Sequence, residues 1–176
     1  HADVLTTDAS TGSVYVDWSK PTELDTIQFP GPHEYRVYHS ADFFGTNFTQ
    51  FAVLNDLDDT TITDNSINTV GGPWSYKVDL YYNNGGVPTL KGSSTNASTI
   101  FLSISPTDNQ LNLTWEEYVP WTNNTYDIYR LNPTTLIYDS IATVSVKQFS
   151  DTGLANGTQY CYYVRSRGSY SRDGIP

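Results

Sequence analysis

Short stretches in which apolar and polar residues alternate recur along the whole chain. Clear examples are 14–18, 76–80 and 160–164, where large apolar residues occupy every second position. An alternation of period two is typical of β-strands that bury one face. Turn-forming residues separate these stretches, for example at 71–73 and 83–86. The pattern predicts an all-β chain of short strands joined by turns.

The strand pattern occurs twice in the same order. The corresponding segments are 13–18 with 110–115, 35–39 with 126–130, 62–64 with 149–151, and 74–80 with 158–164. The spacing between them differs only within turn-rich segments, as expected for insertions on a common scaffold. Seven short strands per copy are typical of a two-sheet sandwich. We therefore predict two tandem immunoglobulin-like β-sandwiches, at 1–93 and 94–176.

The alignment of the two copies assigns specific core positions. Trp18 and Trp115 each end an alternating strand and are expected between the sheets, and Tyr76 aligns with Tyr160. Residues 168–176 are turn-like and lack apolar alternation. The second module is therefore expected to lack its complete last strand, and the preceding strand would keep an unpaired edge.

Composition and charge exclude several classes of function. The 14% aromatic content favours strands. A net charge of −10 and only nine Lys and Arg make the chain a poor match for nucleic acid or an anionic membrane surface. No apolar run approaches the roughly 20 residues that a spanning helix requires. We predict neither nucleic-acid binding nor membrane insertion.

Several motifs resemble those of a known family. Trp115 at the end of the second strand, Tyr126-Asp-Ile-Tyr129 in the third, and the segment 153–162, which contains Gly157-Thr158-Gln159-Tyr160, are similar to a fibronectin type III module. The resemblance implies that Tyr160 is the corner tyrosine, whose hydroxyl reaches backbone a few residues upstream.

A narrower resemblance covers nearly the whole chain. Segments 24–32, 119–123, 151–154 and 160–164 are similar to tandem modules that precede the gliding-motility-associated C-terminal domain of Bacteroidota surface proteins. This resemblance implies an extracellular or outer cell-surface location, export by the type IX secretion system, and neighbouring modules of the same polypeptide as partners. It also implies that Cys161, the single cysteine, pairs with a second cysteine in the intact protein.

The chain carries little that indicates catalysis. His39, Ser40 and Asp42 supply the residue types of a hydrolytic triad, but neighbours in sequence seldom face one another, so a turn after the third strand is favoured. Glu116 and Glu117 supply two carboxylates, but adjacent strand residues point to opposite faces. We predict a protein that is not an enzyme and has no cofactor.

One acidic segment is a candidate for calcium. Asp56, Asp58 and Asp59, together with Asp64, place carboxylates around a turn, and calcium prefers oxygen ligands. The segment lacks the spacing of a recognised calcium loop. A solvated acidic turn without a metal is therefore the favoured interpretation.

Exposed aromatic residues provide the last candidate site. Trp121 and Trp74, with Tyr81 and Tyr82, could form a flat platform for sugar rings, although Trp121 as a lid over the core is favoured. Two functions stay open. The first is a non-catalytic spacer or interaction segment, in adhesion or gliding motility, that contacts a cell-surface protein or polysaccharide. The second is an accessory carbohydrate-binding segment of a secreted polysaccharide-degrading enzyme.

Overall fold

The computed structural model describes residues 2–8 and 11–169. They form two compact units, with the division after Thr99: unit 1 precedes it and unit 2 begins at Ile100. The described residues form strands and turns without a helix, and all strand pairs are antiparallel. The all-β prediction is confirmed. Within this part of the chain, no helix has the length and apolar character needed to cross a bilayer.

Unit 1 is a sandwich of two sheets. Its strands are β1 (Ala2–Thr7), β2 (Val14–Trp18), β3 (Glu34–Ser40), β4 (Thr49–Leu54), β5 (Thr61–Asp64), β6 (Ser75–Asn84), β7 (Val87–Ser93) and β8 (Ala97–Ser98). One sheet has the order β1-β2-β5, and the other has the order β4-β3-β6-β7 with β8 also beside β6. The core joins β2 of the first sheet to β3 and β6 of the second.

Unit 2 repeats this plan. Its strands are β9 (Phe101–Thr107), β10 (Gln110–Glu116), β11 (Thr122–Leu131), β12 (Tyr138–Val144), β13 (Gln148–Thr152) and β14 (Tyr162–Ser169). The sheets have the orders β9-β10-β13 and β12-β11-β14. The same strand order in both units, with a core between two antiparallel sheets, is a tandem pair of fibronectin type III-like sandwiches.

The two tryptophans that end the second strand of each unit occupy equivalent positions. Trp18 is 3% exposed and Trp115 is 2% exposed. Each meets the first tyrosine of its third strand edge to face, with ring centroids 5.4 Å apart for Trp18 and Tyr35 and 5.3 Å apart for Trp115 and Tyr126. The predicted equivalence of Trp18 and Trp115 is confirmed.

The predicted equivalence of Tyr76 and Tyr160 is wrong by two residues. Tyr76 pairs across the sheet with His39, and the residue that pairs with the corresponding Arg130 is Tyr162. Alternation alone could not separate these alternatives, because Tyr160 and Tyr162 lie on the same face of an extended segment. The residue of unit 1 that corresponds to Tyr160 is therefore Trp74.

The division between the units falls between Thr99 and Ile100, a few residues after the 93/94 boundary predicted from sequence. Ala97 and Ser98 pair with Tyr76 and Ser75 in β6, which keeps this segment within unit 1. Both residues are buried, at 0% and 2% exposure.

The last strand of each sheet differs between the units. In unit 1, β6 has β3 on one side and both β7 and β8 on the other, whereas the described pairing of β14 in unit 2 is with β11. Tyr76 and Val78 in β6 are 0% and 5% exposed, but the corresponding Tyr162 and Val164 are only half-buried. The predicted lack of a complete last strand also concerns residues 170–176, which lie outside the described residues.

Candidate functional site

A buried aspartate of unit 1 is hydrogen-bonded to two polar side chains of the facing sheet. Asp64 at the end of β5 is 1% exposed. Its Oδ2 lies 2.6 Å from Nδ1 of His39 and accepts a 3.2 Å hydrogen bond from the hydroxyl of Tyr76. Its other oxygen accepts hydrogen bonds from the backbone and hydroxyl of Ser66. We call Asp64, His39 and Tyr76 the unit 1 triad.

Unit 2 contains the same arrangement with arginine in the place of the histidine. Asp151 is the second-last residue of β13. It accepts a 2.7 Å hydrogen bond from Nη1 of Arg130 and another of 2.7 Å from the hydroxyl of Tyr162. We call Asp151, Arg130 and Tyr162 the unit 2 triad. In both units the aspartate comes from the fifth strand of the pattern and its partners come from the facing sheet.

Burial and hydrogen bonding set the protonation of these groups. Burial opposes ionisation of Asp64, but hydrogen bonds from Ser66 and His39 outweigh it and lower the pKa of the carboxyl below its ordinary value. Burial and the nearby carboxylates raise the pKa of Tyr76 and Tyr162 above that of a free phenol. Asp64 is therefore ionised at neutral pH, and the hydroxyls of Tyr76 and Tyr162 are neutral.

A small open cavity of about 260 Å³ lies beside His39. Trp74 and Asp42 line it, and the imidazole stacks on Phe51, with the two ring centroids 5.0 Å apart. The edge-to-face contact with Trp74 has a centroid distance of 5.1 Å. The His39 side chain is thus held by rings on two sides and by Asp64 at its Nδ1.

The sequence places Ser40 and Asp42 next to His39, but they form a separate network. Ser40 donates a 2.6 Å hydrogen bond to Asp42, which also accepts hydrogen bonds from Thr46 and from the backbone of Gly45. Burial alone would raise the pKa of Asp42, yet these hydrogen bonds lower it well below the usual range. Gly45 has φ +68°, and a Cβ there would collide with Phe48, so the turn depends on glycine.

The adjacent Ser40, His39 and Asp42 are therefore not linked in the order Ser–His–Asp. His39 is oriented by Asp64, whereas the Ser40 hydroxyl is engaged by Asp42. The side chains of Glu116 and Glu117 also lie in different environments. Glu116 is exposed, whereas the side chain of Glu117 is 3% exposed and accepts a 2.6 Å hydrogen bond from Tyr126.

The four calcium candidates fall into two places. Asp56, Asp58 and Asp59 are exposed in the turn between β4 and β5, where Asp58 forms an ion pair with Lys20. Asp64 lies at the other end of β5, inside the sandwich with the unit 1 triad. Among residues 2–8 and 11–169, no group of three or more His, Cys, Asp or Glu side chains could hold a metal ion.

The two tryptophans proposed for a sugar platform lie in different units. Trp74 is half-buried, packs on His39 and donates a 3.1 Å hydrogen bond from Nε1 to the carbonyl of Asn68. Trp121 is half-buried in unit 2 and donates from Nε1 to Oδ1 of Asn123 at 3.0 Å. Neither unit therefore contains both tryptophans.

Sequence reasoning missed an aromatic cluster on the outer face of unit 2. Tyr129 and Tyr163 pair across β11 and β14 and stack with ring centroids 4.5 Å apart, and Tyr138 meets Tyr163 edge to face at 4.9 Å. The guanidinium of Arg165 lies 5.6 Å from the Tyr129 ring centroid. The sequence pattern could have indicated this cluster, because Tyr129 and Tyr163 alternate with the core residues of their strands and therefore point to the opposite face.

Tyr160 makes the contact expected of a corner tyrosine. The backbone N–H of Ala155 donates a 3.1 Å hydrogen bond to the Tyr160 hydroxyl. Trp74, its counterpart in unit 1, likewise bonds to backbone upstream through Asn68. In each unit, this hydrogen bond connects the residue just before the sixth strand to the backbone upstream of it.

Replacing Tyr160 by Phe is expected to destabilise unit 2 by about 1 kcal/mol, because the Ala155 N–H loses its acceptor. Urea unfolding of the whole chain measures the change. Tyr163→Phe is the matched control and should change stability by less than about 0.5 kcal/mol, since it keeps the ring contacts. Equal effects of the two substitutions would contradict a role for the Tyr160 hydroxyl.

Comparisons with known proteins assign no family to this chain. No family model matches the chain, and no curated protein does. Among solved structures, the central fibronectin type III array of RIM-binding protein is similar over 99% of this chain and 70% of that one, with 16% identity and a TM-score of 0.35. The fold assignment rests on the strand order and the two cores described above.

Proposed function

We propose that this chain is a non-catalytic spacer or interaction segment of a secreted or cell-surface bacterial protein built from several modules. The observation that carries the proposal is the duplicated sandwich, in which the groups suited to chemistry are used to hold each module together. His39 and Arg130 engage buried aspartates that link facing sheets. Glu117 engages Tyr126 and Lys147 in the same manner.

The cellular setting of the proposal comes from the sequence resemblance. The motifs shared with tandem modules of Bacteroidota surface proteins support export by the type IX secretion system and a role in adhesion or gliding motility. The strongly acidic composition, with a net charge of −10, suits a segment exposed to the medium, because like charges oppose association.

The location can be tested on intact cells of a bacterium that produces the protein. Antibodies raised against the purified chain are expected to label unpermeabilised cells, and added protease should remove the signal. A cytoplasmic protein detected in the same cells is the control and should stay protected. Labelling that requires permeabilisation would contradict a surface location.

The carbohydrate-binding alternative is not favoured by the positions of its candidate residues. Trp74 packs against the core of unit 1, and Trp121 lies in unit 2 beside Asn123. In the Tyr129 and Tyr163 pair, each ring covers one flat face of the other, whereas a sugar platform requires open faces. Affinity electrophoresis in a gel that contains a polysaccharide tests this alternative. Slower migration of the wild type, and normal migration of Trp121→Ala, would support carbohydrate binding.

A further inference from the structure

We propose that the outer face of the β12-β11-β14 sheet of unit 2 binds an extended acidic segment of a partner protein, whose carboxylates are held by Arg165 and Arg167. These two arginines, with Tyr129 and Tyr163 beside them, are called the unit 2 patch. The proposal rests on the proposed function as an interaction segment, and it names the class of partner.

The two arginines of the patch share a single carboxylate. Oδ2 of Asp127 accepts hydrogen bonds from Nη2 of Arg165 at 3.4 Å and from Nε of Arg167 at 2.6 Å. Its other oxygen accepts a 2.7 Å hydrogen bond from the hydroxyl of Thr143. No other carboxylate of the described residues forms an ion pair with either guanidinium. The two arginines therefore carry one positive charge that no described ion pair balances.

Both guanidinium groups are accessible to a ligand. The side chains of Arg165 and Arg167 are 57% and 62% exposed, although the shared Asp127 is only 4% exposed. The other Lys and Arg ion pairs of the described residues each join one cation to one carboxylate: Lys20–Asp58, Arg36–Glu34, Lys77–Asp79, Arg130–Asp151 and Lys147–Glu117. In a chain with a net charge of −10, the patch is thus a local site for an anion.

The equivalent face of unit 1 does not have this excess of positive charge. By strand register, the cross-strand pair Arg36–Asp79 of unit 1 corresponds to the pair Asp127–Arg165 of unit 2, with the charges exchanged. Arg36 and Lys77 each have a carboxylate of their own, and their side chains are only 28% and 23% exposed. The exposed, shared arginines are therefore a feature of unit 2 and not of the common scaffold.

The tyrosines extend the patch along the same face of the sheet. Tyr129 and Tyr163 lie two residues before or after Asp127 and Arg165 on their strands, and their rings stack. Neither phenol hydroxyl is hydrogen-bonded within the described part of the chain, so both are available to a ligand. Tyrosine and arginine are enriched among the residues that contribute most to binding at protein interfaces. The composition of the patch thus favours a protein partner.

The spacing of the arginines indicates the form of the ligand. Arg165 and Arg167 are two residues apart on β14, so they lie on the same face about 6.6 Å apart along the strand. An extended peptide with Asp or Glu at every second position repeats its carboxylates at the same spacing. Arginine binds carboxylates through paired, charge-assisted hydrogen bonds. Charge and spacing therefore both fit an acidic segment in extended conformation.

Titration of the isotope-labelled whole chain with synthetic peptides, followed by two-dimensional NMR, tests the proposal. The probe is an octapeptide of alternating Glu and Thr, and the control peptide has Gln in place of each Glu. We expect the Glu peptide to cause saturable shifts of resonances from β11 and β14, because its carboxylates bind the two guanidinium groups. The Gln peptide should cause no such shifts.

Substitutions identify the residues that bind the peptide. Arg165→Gln is expected to weaken binding by about five-fold or more, the effect of truncating an arginine that is central to an interface. Lys20→Gln is the matched control, because it removes the same charge from an exposed ion pair of unit 1. At physiological ionic strength it should change the affinity by less than about two-fold, since charges more than about 8 Å apart are largely screened.

The proposal is overturned if the Glu peptide causes no saturable shifts in β11 and β14, or if Arg165→Gln and Lys20→Gln have equal effects. Binding of alginate at the patch without binding of the Glu peptide would also overturn it, because the occupant would then be an anionic polysaccharide. The comparison of the two peptides uses the wild type alone, so the test does not depend on the folding of a variant. Surface labelling of cells without peptide binding would reject this class of partner and leave the proposed function in place.

Discussion

Replacing Trp115 by Ala is expected to destabilise unit 2 by about 3 to 5 kcal/mol, the cost of deleting a buried aromatic ring. Trp115 is among the largest fully buried side chains and packs against Tyr126 from the facing sheet. No described residue accepts a hydrogen bond from its buried Nε1–H, so the loss is one of packing. Since domains are stable by only about 5 to 15 kcal/mol, the variant unit could unfold outright.

The measurement is urea unfolding with NMR resonances assigned to each unit. Trp121→Ala is the matched control in the same unit, because Trp121 is only half-buried and its removal opens no closed cavity. Trp18→Ala should reproduce the large effect in unit 1, where Trp18 packs on Tyr35 in the equivalent geometry. A loss below about 1 kcal/mol for Trp115→Ala would contradict its place in the core.

Replacing Asp64 by Ala is expected to destabilise unit 1 by about 3 to 5 kcal/mol, because several hydrogen bonds to one buried carboxylate are lost together and each contributes about 1.5 to 3 kcal/mol. The change removes the acceptor of Tyr76 and Ser66 and leaves His39 without its carboxylate. Asp58→Ala is the control, because the Asp58 side chain is 78% exposed in its pair with Lys20. Such a surface pair contributes at most about 1 kcal/mol.

The effect of Asp64→Ala should depend on pH in a defined direction. The pKa of Asp64 is lower in the folded chain than the ordinary value of 3.8, so its contribution is complete above that value. The contribution is lost as pH falls through the lowered pKa. The difference in stability between wild type and variant should therefore shrink as pH falls below 3.8, and a difference that grows there would contradict an ionised, hydrogen-bonded Asp64.

Most of the core of each unit could be placed from the sequence alone. Alternation records which side chains face the partner sheet, because successive residues of a strand point to opposite faces. Val14, Val16 and Trp18 are all buried as the pattern predicts. The repeat indicated in addition that both units share one topology, since two copies with matching anchors must share one scaffold.

Only the tertiary structure decided which polar groups meet. His39 and Asp64 are 25 residues apart and lie in different sheets, so their contact depends on how the sheets pack. The same packing distinguishes Tyr162, which reaches Asp151, from Tyr160, which bonds to Ala155, although both occupy the same face of one segment. Strand periodicity determines the face on which a side chain lies, but not its partner across the core. That partner depends on the register and separation of two sheets, which the chain connects only through loops.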